Sequence, residues 1–304
     1  QRVSAISQES KAAGMVSDRS AVWYVDDGSR DATWSIIEAR CAVDASCKGI
    51  KLAANVGHQN ALLAGLLELP QEVDCAISLD ADLQDDASVM KDMLRLFAEG
   101  YEQVYGVRSD RDQDTFFKRQ TAGAFYKVMG WLRIKLVPQH ADFRLSGRRV
   151  LDALKGYEER NLFLRGIFPS LGFRQATVSY SRLERQFGSS KYPLSKMIGL
   201  AWQGITSFST APLRFAGLLS LLTFLLAVFE SFRALFTWLY GYTVEGWSSL
   251  IITILYLGAI QLFSLAVIGE YLAKIYMETK RRPRYIVDRK LGTDADGELH
   301  GCPE

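Results

Sequence analysis

The stretch AVWYVDDGSRDATWSIIEARCAV, residues 21–43, contains the pattern on which the first two thirds of the chain is built. Residues 21–25 are β-branched and aromatic, which is typical of a buried strand. The strand meets Asp-Asp-Gly-Ser, a loop signal, at residues 26–29, and apolar residues then recur at helical spacing over residues 32–43. The stretch therefore predicts a strand, a loop and a helix.

The same unit recurs further along the chain. Strands are predicted at residues 49–54, 75–79 and 103–107, and helices at residues 59–69 and 87–99. Alternation of this kind implies an α/β fold with a Rossmann-like, mostly parallel sheet that is covered on both faces. Ligands bind such sheets at the carboxyl ends of the strands, so we expect the functional site where the polar loops gather.

Two apolar segments follow the α/β region. Residues 246–269 carry no charge, and this run is long enough to cross the ~30 Å hydrocarbon layer of a membrane. A buried core helix is the disfavoured alternative, because core helices seldom run so far without polar residues. In the other segment, residues 211–241, Glu230 and Arg233 lie three residues apart and can pair on one helical face. The two segments predict a transmembrane hairpin.

The distribution of Lys and Arg predicts the orientation of this hairpin. The turn at residues 240–247 holds Glu245 and no basic residue, whereas basic residues precede the first span and follow the second. They are Lys191, Lys196, Arg214, Lys274, Lys280, Arg281, Arg282 and Arg284. Cytoplasmic segments are enriched in Lys and Arg, so both ends of the hairpin are predicted to be cytoplasmic.

The overall charge is nearly balanced, with 36 basic and 34 acidic residues and a net charge of +2. This balance does not indicate nucleic-acid binding, and the clustering of basic residues near the membrane segments favours contact with anionic or phosphate-bearing lipids. The 4 cysteines show no zinc-site spacing and are expected to be reduced cytosolic thiols. A polar tail is expected from about Asp288.

The loop DADLQDD, residues 80–86, is the strongest candidate for metal chemistry. Asp80 and Asp82 lie two residues apart, so in extended geometry their carboxylates point the same way. Oxygen ligands placed like this suit Mg²⁺ or Mn²⁺ together with substrate phosphates. A solvated loop that caps the next helix is the alternative, and it fits Asp85 and Asp86 better.

A second acidic turn, residues 26–29, ends the first predicted strand. A carboxylate there can accept a hydrogen bond from a ribose hydroxyl or a base N–H. Asp27 and Ser29 also suit a plain turn and a helix N-cap, and that alternative stays open.

Charged groups also lie in apolar surroundings at residues 141–145 (ADFRL) and 182–193 (RLERQFGSSKYP). The second segment precedes residues 194–208, whose apolar side chains share a helical face suited to the bilayer interface. Its polar groups would then stand at headgroup depth, either as acceptor-binding groups or as interfacial anchors. They are Arg185, Ser190 and Lys191.

These motifs together resemble those of one enzyme family. In order and spacing, DDGS, NVGHQNALLAGL, DADLQDD, ADFRL, GSSKYP, SFSTAPLR and IGEYLAKIYMETKRRPRYIV look like the bacterial polyprenyl-phosphate (bactoprenol) glycosyltransferases of glycosyltransferase family 2. These are similar to dolichyl-phosphate mannose synthase with a two-span hairpin added. The resemblance covers nearly the whole chain. It implies a GT-A fold that moves a sugar from a nucleotide donor to a polyprenyl phosphate at the cytoplasmic face of the membrane.

By motif position, the resemblance implies four groups of site residues. The catalytic group is Asp142, Arg144 and Asp82. The nucleotide-sugar-binding group is Asp26, Asp27, Asn55, Gln59 and Asp80. The acceptor-phosphate group is Arg119, Arg185, Ser190 and Lys191. The ligands of the expected Mg²⁺ or Mn²⁺ are Asp80, Asp82 and Gln84.

The implied reaction is a single displacement that inverts the anomeric centre. A phosphate monoester, with its second pKa near ~6, is already a nucleophile at neutral pH. Asp142 is therefore expected to orient the sugar or the phosphate, with a general-base role as the alternative. Glucose from UDP-glucose is the expected sugar, while mannose and amino sugars stay open.

Two other functions compete with this one. A membrane-anchored, non-catalytic nucleotide-sugar-binding or scaffold protein would not be expected to keep Asp80, Asp82 and Lys191. A processive polysaccharide synthase would carry a QxxRW-type motif and more spans, and the sequence contains neither.

The predicted organisation starts with a GT-A domain at residues 1–192 and a juxtamembrane amphipathic helix at 193–210. It continues with two transmembrane helices at 211–277 and ends with a cytoplasmic tail at 278–304, which is first basic and then polar. The family's first strand ends in a Pro-x-Tyr-Asn-Glu type motif, and none precedes Gln1, so the chain is expected to be a fragment whose donor pocket lacks one edge. The expected location is the bacterial inner membrane, as a multi-pass protein with a cytoplasmic catalytic domain. The expected partners are the nucleotide sugar, the polyprenyl phosphate and the lipid bilayer, without nucleic acid and with homo-oligomerisation left open.

Overall fold

The computed structural model describes residues 2–82, 84–109, 137, 140–160, 162–181, 205–206, 209–240 and 246–292. The chain divides into two compact units, which are described separately. One comprises residues 1–128, 135–191 and 282–304, and the other residues 129–134 and 192–281. The first unit is an α/β domain and the second contains the long apolar helices.

The α/β domain alternates strands and helices along the chain. Its described helices are α1 (Arg2–Ala12), α2 (Thr33–Val43), α3 (His58–Leu67), α4 (Met90–Ala98), α5 (Arg148–Lys155) and α6 (Leu164–Ser170), with a 3₁₀ turn at Ala87–Val89. Its described strands are β1 (Val22–Asp26), β2 (Cys47–Leu52), β3 (Cys75–Ser78), β4 (Gln103–Arg108), β5 (His140–Gly147), β6 (Gln175–Tyr180) and β7 (Val287–Leu291). The four predicted strands are confirmed as β1 to β4.

The strands form two hydrogen-bonded sheets, in the orders β1-β2-β7 and β3-β5-β4-β6. The pairs β1/β2 and β4/β6 are parallel, whereas β2/β7, β3/β5 and β4/β5 are antiparallel. The mostly parallel sheet of the prediction is therefore a mixed one over the described part of the chain. The difference comes from β5 and β7, which the sequence pattern did not mark as strands and which run against their neighbours.

Apolar side chains pack two of these strands against helix α4. Phe143 and Leu145 of β5 and Val104 of β4 are fully buried against Met93 of α4. Each buried side chain of this size stabilises the fold by roughly 1.5–3 kcal/mol relative to an exposed one. This packing fixes the strands, and with them the positions from which the loops emerge.

The polar tail predicted from about Asp288 is wrong for its first residues, because the chain returns to the sheet as β7. Beside this strand, Tyr285 donates its hydroxyl to Glu68 at 2.8 Å, and Lys290 donates to the same carboxylate at 2.7 Å. An edge strand with three exposed side chains in a row lacks the apolar alternation that marks a strand in a sequence.

The expectation of reduced thiols is also wrong for two of the cysteines. Cys41 in the last turn of α2 and Cys47 at the start of β2 form a disulfide, with their Cα atoms 4.7 Å apart. The short connection between this helix and this strand brings the two side chains together. Cys75 is free.

The second unit contains two long helices, α7 (Ala211–Leu239) and α8 (Trp247–Thr279). Each contains a segment long and apolar enough to cross a membrane, with mean hydropathies of 2.0 and 1.4. The helices pack against each other, and the rings of Phe215 and Phe263 meet edge to face at 6.5 Å. Glu230 and Arg233 form the predicted ion pair at 2.7 Å. Most of the predicted amphipathic helix, residues 193–210, lies outside the described residues.

Candidate active site

Asp27 joins the loops that follow β1 and β2. Its carboxylate accepts hydrogen bonds from the backbone N–H groups of Val56 at 2.7 Å and Gly57 at 3.0 Å. Both of its oxygens are thus engaged inside the protein. Asp27 therefore connects the two loops by hydrogen bonds. Its predicted contact with the nucleotide stays a prediction.

Gly28 allows these loops to approach each other. It has a φ of +64°, and a Cβ at this position would lie 2.5 Å from the carbonyl carbon of Ala54 and 2.7 Å from the amide nitrogen of Asn55. A side chain here would therefore clash with backbone atoms that cannot rotate away.

We expect Gly28→Ala to separate the two loops and to lower both thermal stability and nucleotide-sugar affinity. The positive φ alone costs roughly 1–2 kcal/mol for a residue with a Cβ, and the clash adds to this. Gly14→Ala is the matched control, because Gly14 has a φ of +66° but open space around its Cβ position. Thermal unfolding and nucleotide binding should be measured for both variants. Equal losses in the two would contradict the close approach of the loops.

Asp26, the last residue of β1, is 2% exposed. One carboxylate oxygen accepts from the backbone N–H of Ser29 at 3.2 Å, and the other is buried without a hydrogen-bond partner among the described residues. An unpaired buried oxygen is rare and indicates a place where a donor belongs.

The N-cap alternative for Ser29 is wrong, because α2 begins four residues later at Thr33. Asn55 is exposed on the neighbouring loop.

Asp142 of β5 is surrounded by positively charged or protonatable groups. His58 approaches its carboxylate at 2.9 Å, Arg165 donates to it at 3.3 Å, and Arg144 donates to it in a short hydrogen bond. Asp80, just after β3, lies 3.7 Å from the same His58 nitrogen. The structure thus brings Asp80, which follows the carboxyl end of β3, close to Asp142, which lies near the amino end of the antiparallel strand β5.

The charges around Asp142 determine its protonation state. Burial raises its pKa, but the hydrogen bond from His58 and the charges of Arg144 and Arg165 outweigh burial and hold the pKa well below its ordinary value. The hydrogen bond to Asp142 raises the pKa of His58. A general base works best when its pKa is near the working pH. Asp142 therefore suits a fixed, ionised orienting group better than a base.

Arg144 lies behind Asp142 and is 0% exposed. Its guanidinium stacks 4.2 Å from the centre of the Phe168 ring. A side chain without exposed surface acts through its neighbour, so the structure makes Arg144 a residue that positions Asp142. Its predicted direct role in catalysis stays a prediction.

The acidic loop DADLQDD contains carboxylates in different environments. β3 ends at Ser78 and residues 81–82 form a turn, so the extended geometry expected for Asp80 and Asp82 is wrong. Asp82 is exposed and accepts from the backbone N–H of Gln84 at 3.2 Å. The solvated-loop alternative is also wrong for Asp85, whose side chain is fully buried.

Asp86 does behave as a helix cap. Its carboxylate accepts from the backbone N–H of Ser88 at 3.0 Å, at the start of the 3₁₀ turn that leads into α4. Such a contact satisfies one of the unpaired N–H groups of a helix end.

A divalent cation is compatible with these residues. Within the described parts of the chain, the ligand atoms of His58, Asp80 and Asp142 lie within 4.8 Å of one another. Burial raises the pKa of Asp80 although His58 opposes the shift, and a cation would stabilise the ionised form of such a carboxylate. The amide of Gln84 is buried with no hydrogen-bond partner among the described residues, which leaves an oxygen available. Asp80 is therefore the strongest candidate ligand, while Asp82 and Gln84 stay predicted ligands.

Gln59 holds a neighbouring helix. Its side-chain oxygen accepts from the backbone N–H of Leu164, the first residue of α6, at 2.9 Å. Arg165 is the next residue, so Gln59 helps to place the guanidinium that meets Asp142. Sequence reasoning missed Arg165, since nothing in its local pattern marks it.

The predicted acceptor-phosphate residues Arg119, Arg185, Ser190 and Lys191 lie outside the described residues.

The profile of the family described as "Glycosyl transferase family 2" matches residues 12–154. The uncharacterized glycosyltransferase YkoT of Bacillus subtilis is 51% identical over 277 residues, which cover 91% of this chain and 82% of the relative. The bactoprenol glucosyl transferase of Shigella phage SfX is 38% identical over 266 residues, 87% of each chain. The chain belongs to glycosyltransferase family 2.

Proposed function

We propose that this enzyme transfers glucose from a nucleotide sugar, UDP-glucose, to polyprenyl phosphate and inverts the anomeric centre. The observation that carries the proposal is the carboxylate of Asp142, which is held by Arg144, Arg165 and His58 beside Asp80. Relatives named bactoprenol glucosyl transferase support glucose as the sugar and a polyprenyl phosphate as the acceptor. A non-catalytic scaffold and a processive synthase are not favoured.

The reaction requires alignment more than activation. An acceptor phosphate oxygen attacks the anomeric carbon, a carbon–oxygen bond forms, and the bond from that carbon to the nucleoside diphosphate breaks. The acceptor is already an anion, so no strong base is needed. Asp142 would accept hydrogen bonds from sugar hydroxyls and fix the anomeric carbon in line with the phosphate.

Basic groups would receive the two phosphates. The side chain of Arg165 is 43% exposed, and one of its guanidinium nitrogens contacts Asp142. Its other N–H groups can therefore donate hydrogen bonds to an anionic substrate. Arg119, Arg185, Ser190 and Lys191 are proposed to bind the acceptor phosphate on the basis of their motif positions.

The metal is proposed to be Mg²⁺ or Mn²⁺, held by Asp80, Asp82 and Gln84. When bound, it would neutralise the negative charge that develops on the departing nucleoside diphosphate. His58 and Asp142 adjoin this position, so changes in either are expected to alter the affinity for the metal.

The proposed location is the bacterial inner membrane, with α7 and α8 as the two spans and the catalytic domain in the cytoplasm. The basic residues that flank the spans support this orientation. Such a location gives the α/β domain access to cytosolic nucleotide sugars.

The orientation can be tested with single cysteines. We expect Thr243→Cys, in the turn predicted between the proposed spans, to react with a membrane-impermeant maleimide in intact cells. Thr293→Cys should react only after lysis, because five basic residues between Lys274 and Arg284 hold that end inside. Cys302 must be replaced first in both variants. Labelling of Thr293→Cys in unbroken cells would reverse the proposed orientation.

The proposed reaction is tested by incubating the protein with undecaprenyl phosphate and a panel of radiolabelled nucleotide sugars. Label from UDP-glucose should enter the organic phase, and it should do so only when both acceptor and divalent cation are present. Label from UDP-N-acetylglucosamine or GDP-mannose should stay in the aqueous phase. Transfer of mannose or an amino sugar in place of glucose would overturn the sugar assignment.

A further inference from the structure

A polar cluster around a buried carboxylate lies beside the acidic loop and outside the group around Asp142. It consists of Asp85 in the loop, Arg108 at the end of β4 and Tyr180 at the end of β6. The Tyr180 hydroxyl donates a short hydrogen bond to one oxygen of Asp85, and Arg108 donates to the same oxygen at 3.1 Å. Arg108 also donates to the Tyr180 hydroxyl at 3.3 Å. Each member thus contacts the other two.

The cluster keeps one carboxylate of a crowded loop away from solvent. The loop holds Asp80, Asp82, Asp85 and Asp86 within seven residues, and like charges this close repel one another. The Asp85 side chain is 0% exposed, so its charge must be compensated inside the protein. Arg108 supplies the positive charge and Tyr180 a hydrogen bond, while Asp80 and Asp82 keep some exposed surface.

The cluster also connects the loop to the strand that carries Asp142. The ring of Tyr180 meets the ring of Phe143 edge to face at 5.6 Å, and Phe143 follows Asp142 in β5. The fit is tight, since a Cβ on Gly106 would lie 2.9 Å from the Phe143 ring and 3.0 Å from the Tyr180 ring. A displacement of Tyr180 would therefore disturb both the acidic loop and the backbone beside Asp142.

We infer that Asp85, Arg108 and Tyr180 are positioning residues that hold the acidic loop in the shape that binds the divalent cation and the donor diphosphate. The inference rests on the proposed function, because it takes the loop as the donor site. Stability alone is a weak reason for such a cluster, since well-packed apolar side chains often replace a buried ion pair without loss of stability.

Tyr180→Phe tests the inference with the smallest change, because it removes one hydroxyl and keeps the ring against Phe143. Binding of Mn²⁺ in the presence of UDP can be followed by electron paramagnetic resonance, without acceptor or turnover. We expect the apparent Kd for Mn²⁺ to rise about tenfold, as the loss of a hydrogen bond to a charged group predicts. The same loss should lower the melting temperature by several degrees, whereas the KM for polyprenyl phosphate should stay the same.

Two further variants separate positioning from a general loss of structure. Arg108→Lys keeps the charge and should bind Mn²⁺ more tightly than Arg108→Met. Ser109→Ala is the matched control, because the Ser109 hydroxyl donates to the Tyr180 carbonyl at 3.0 Å, and it should bind Mn²⁺ like the unaltered protein.

The outcomes distinguish this inference from the proposed function. Unchanged Mn²⁺ affinity in Tyr180→Phe and Arg108→Met would overturn the positioning role alone and leave the donor site intact. An unaltered protein that binds no Mn²⁺ with UDP would overturn the proposed donor site and the inference with it. A tenfold loss confined to the cluster variants would support both.

Discussion

Replacement of Asp142 by asparagine is expected to lower the kcat for sugar transfer by a factor on the order of 10²–10³. The substitution keeps the shape of the side chain and removes the charge that His58, Arg144 and Arg165 surround. The sugar hydroxyls would then lose the charged hydrogen-bond acceptor that aligns the anomeric carbon with the acceptor phosphate. Turnover is measured from the transfer of radiolabelled glucose to undecaprenyl phosphate at saturating donor.

The same variant is expected to be less stable. Arg144 has no exposed surface, and the loss of its carboxylate partner costs roughly 3 kcal/mol. Rates must therefore be measured below the melting temperature of the variant. Asp152→Asn is the matched control, because Asp152 pairs with Arg148 at 2.6 Å on the exposed side of α5. It should leave both activity and melting temperature nearly unchanged, and an Asp142→Asn enzyme within threefold of the control would refute the role of Asp142.

Replacement of Asp80 by asparagine is expected to lower kcat by roughly a hundredfold or more, because it removes the carboxylate best placed to hold the cation. Asp82→Asn should have an effect of the same order if the exposed carboxylate of the turn is a second ligand. Neither side chain belongs to the apolar core, so the fold should remain intact. Transfer rate, melting temperature and the Mn²⁺ concentration that gives half-maximal rate are measured side by side.

Asp86→Asn offers a control in the same loop. Asp86 caps the 3₁₀ turn before α4, so its replacement should cost no more than about 1 kcal/mol of stability and leave the Mn²⁺ requirement unchanged. If Asp80→Asn transferred sugar at a near-normal rate with Mg²⁺ or Mn²⁺, the metal assignment would be wrong. If Asp86→Asn raised the Mn²⁺ requirement as much as Asp80→Asn, the effect would belong to the loop as a whole.

Features that depend on neighbouring residues in the chain could be predicted from the sequence. Strands β1 to β4 are apolar runs bounded by polar turns, and the helices α7 and α8 are long, mostly apolar stretches. The carboxyl-end loops follow directly from this alternation, so Asp80 could be placed at the site. Asp142 was predicted as a site residue from its motif alone, because residues 140–147 were not predicted to form a strand.

Features that depend on distant partners could not be predicted. Asp85 and Asp86 are adjacent and chemically identical, yet Asp85 is buried because Tyr180, 95 residues away, donates to it. Asp27 received a nucleotide role, whereas its hydrogen bonds go to backbone groups 29 and 30 residues away. The strand β7 pairs with β2 across more than two thirds of the chain. No local pattern records such pairings.

In the proposed reaction, one hexose is transferred from a nucleoside diphosphate to a polyprenyl phosphate. The most direct measurement is the nucleotide released from UDP-glucose, determined together with the mass of the lipid product. One UDP should be released for each undecaprenyl phosphate that gains a single hexose, and none should be released when the acceptor is omitted. Release of UMP with transfer of a hexose phosphate, or addition of several hexoses to one lipid, would contradict it.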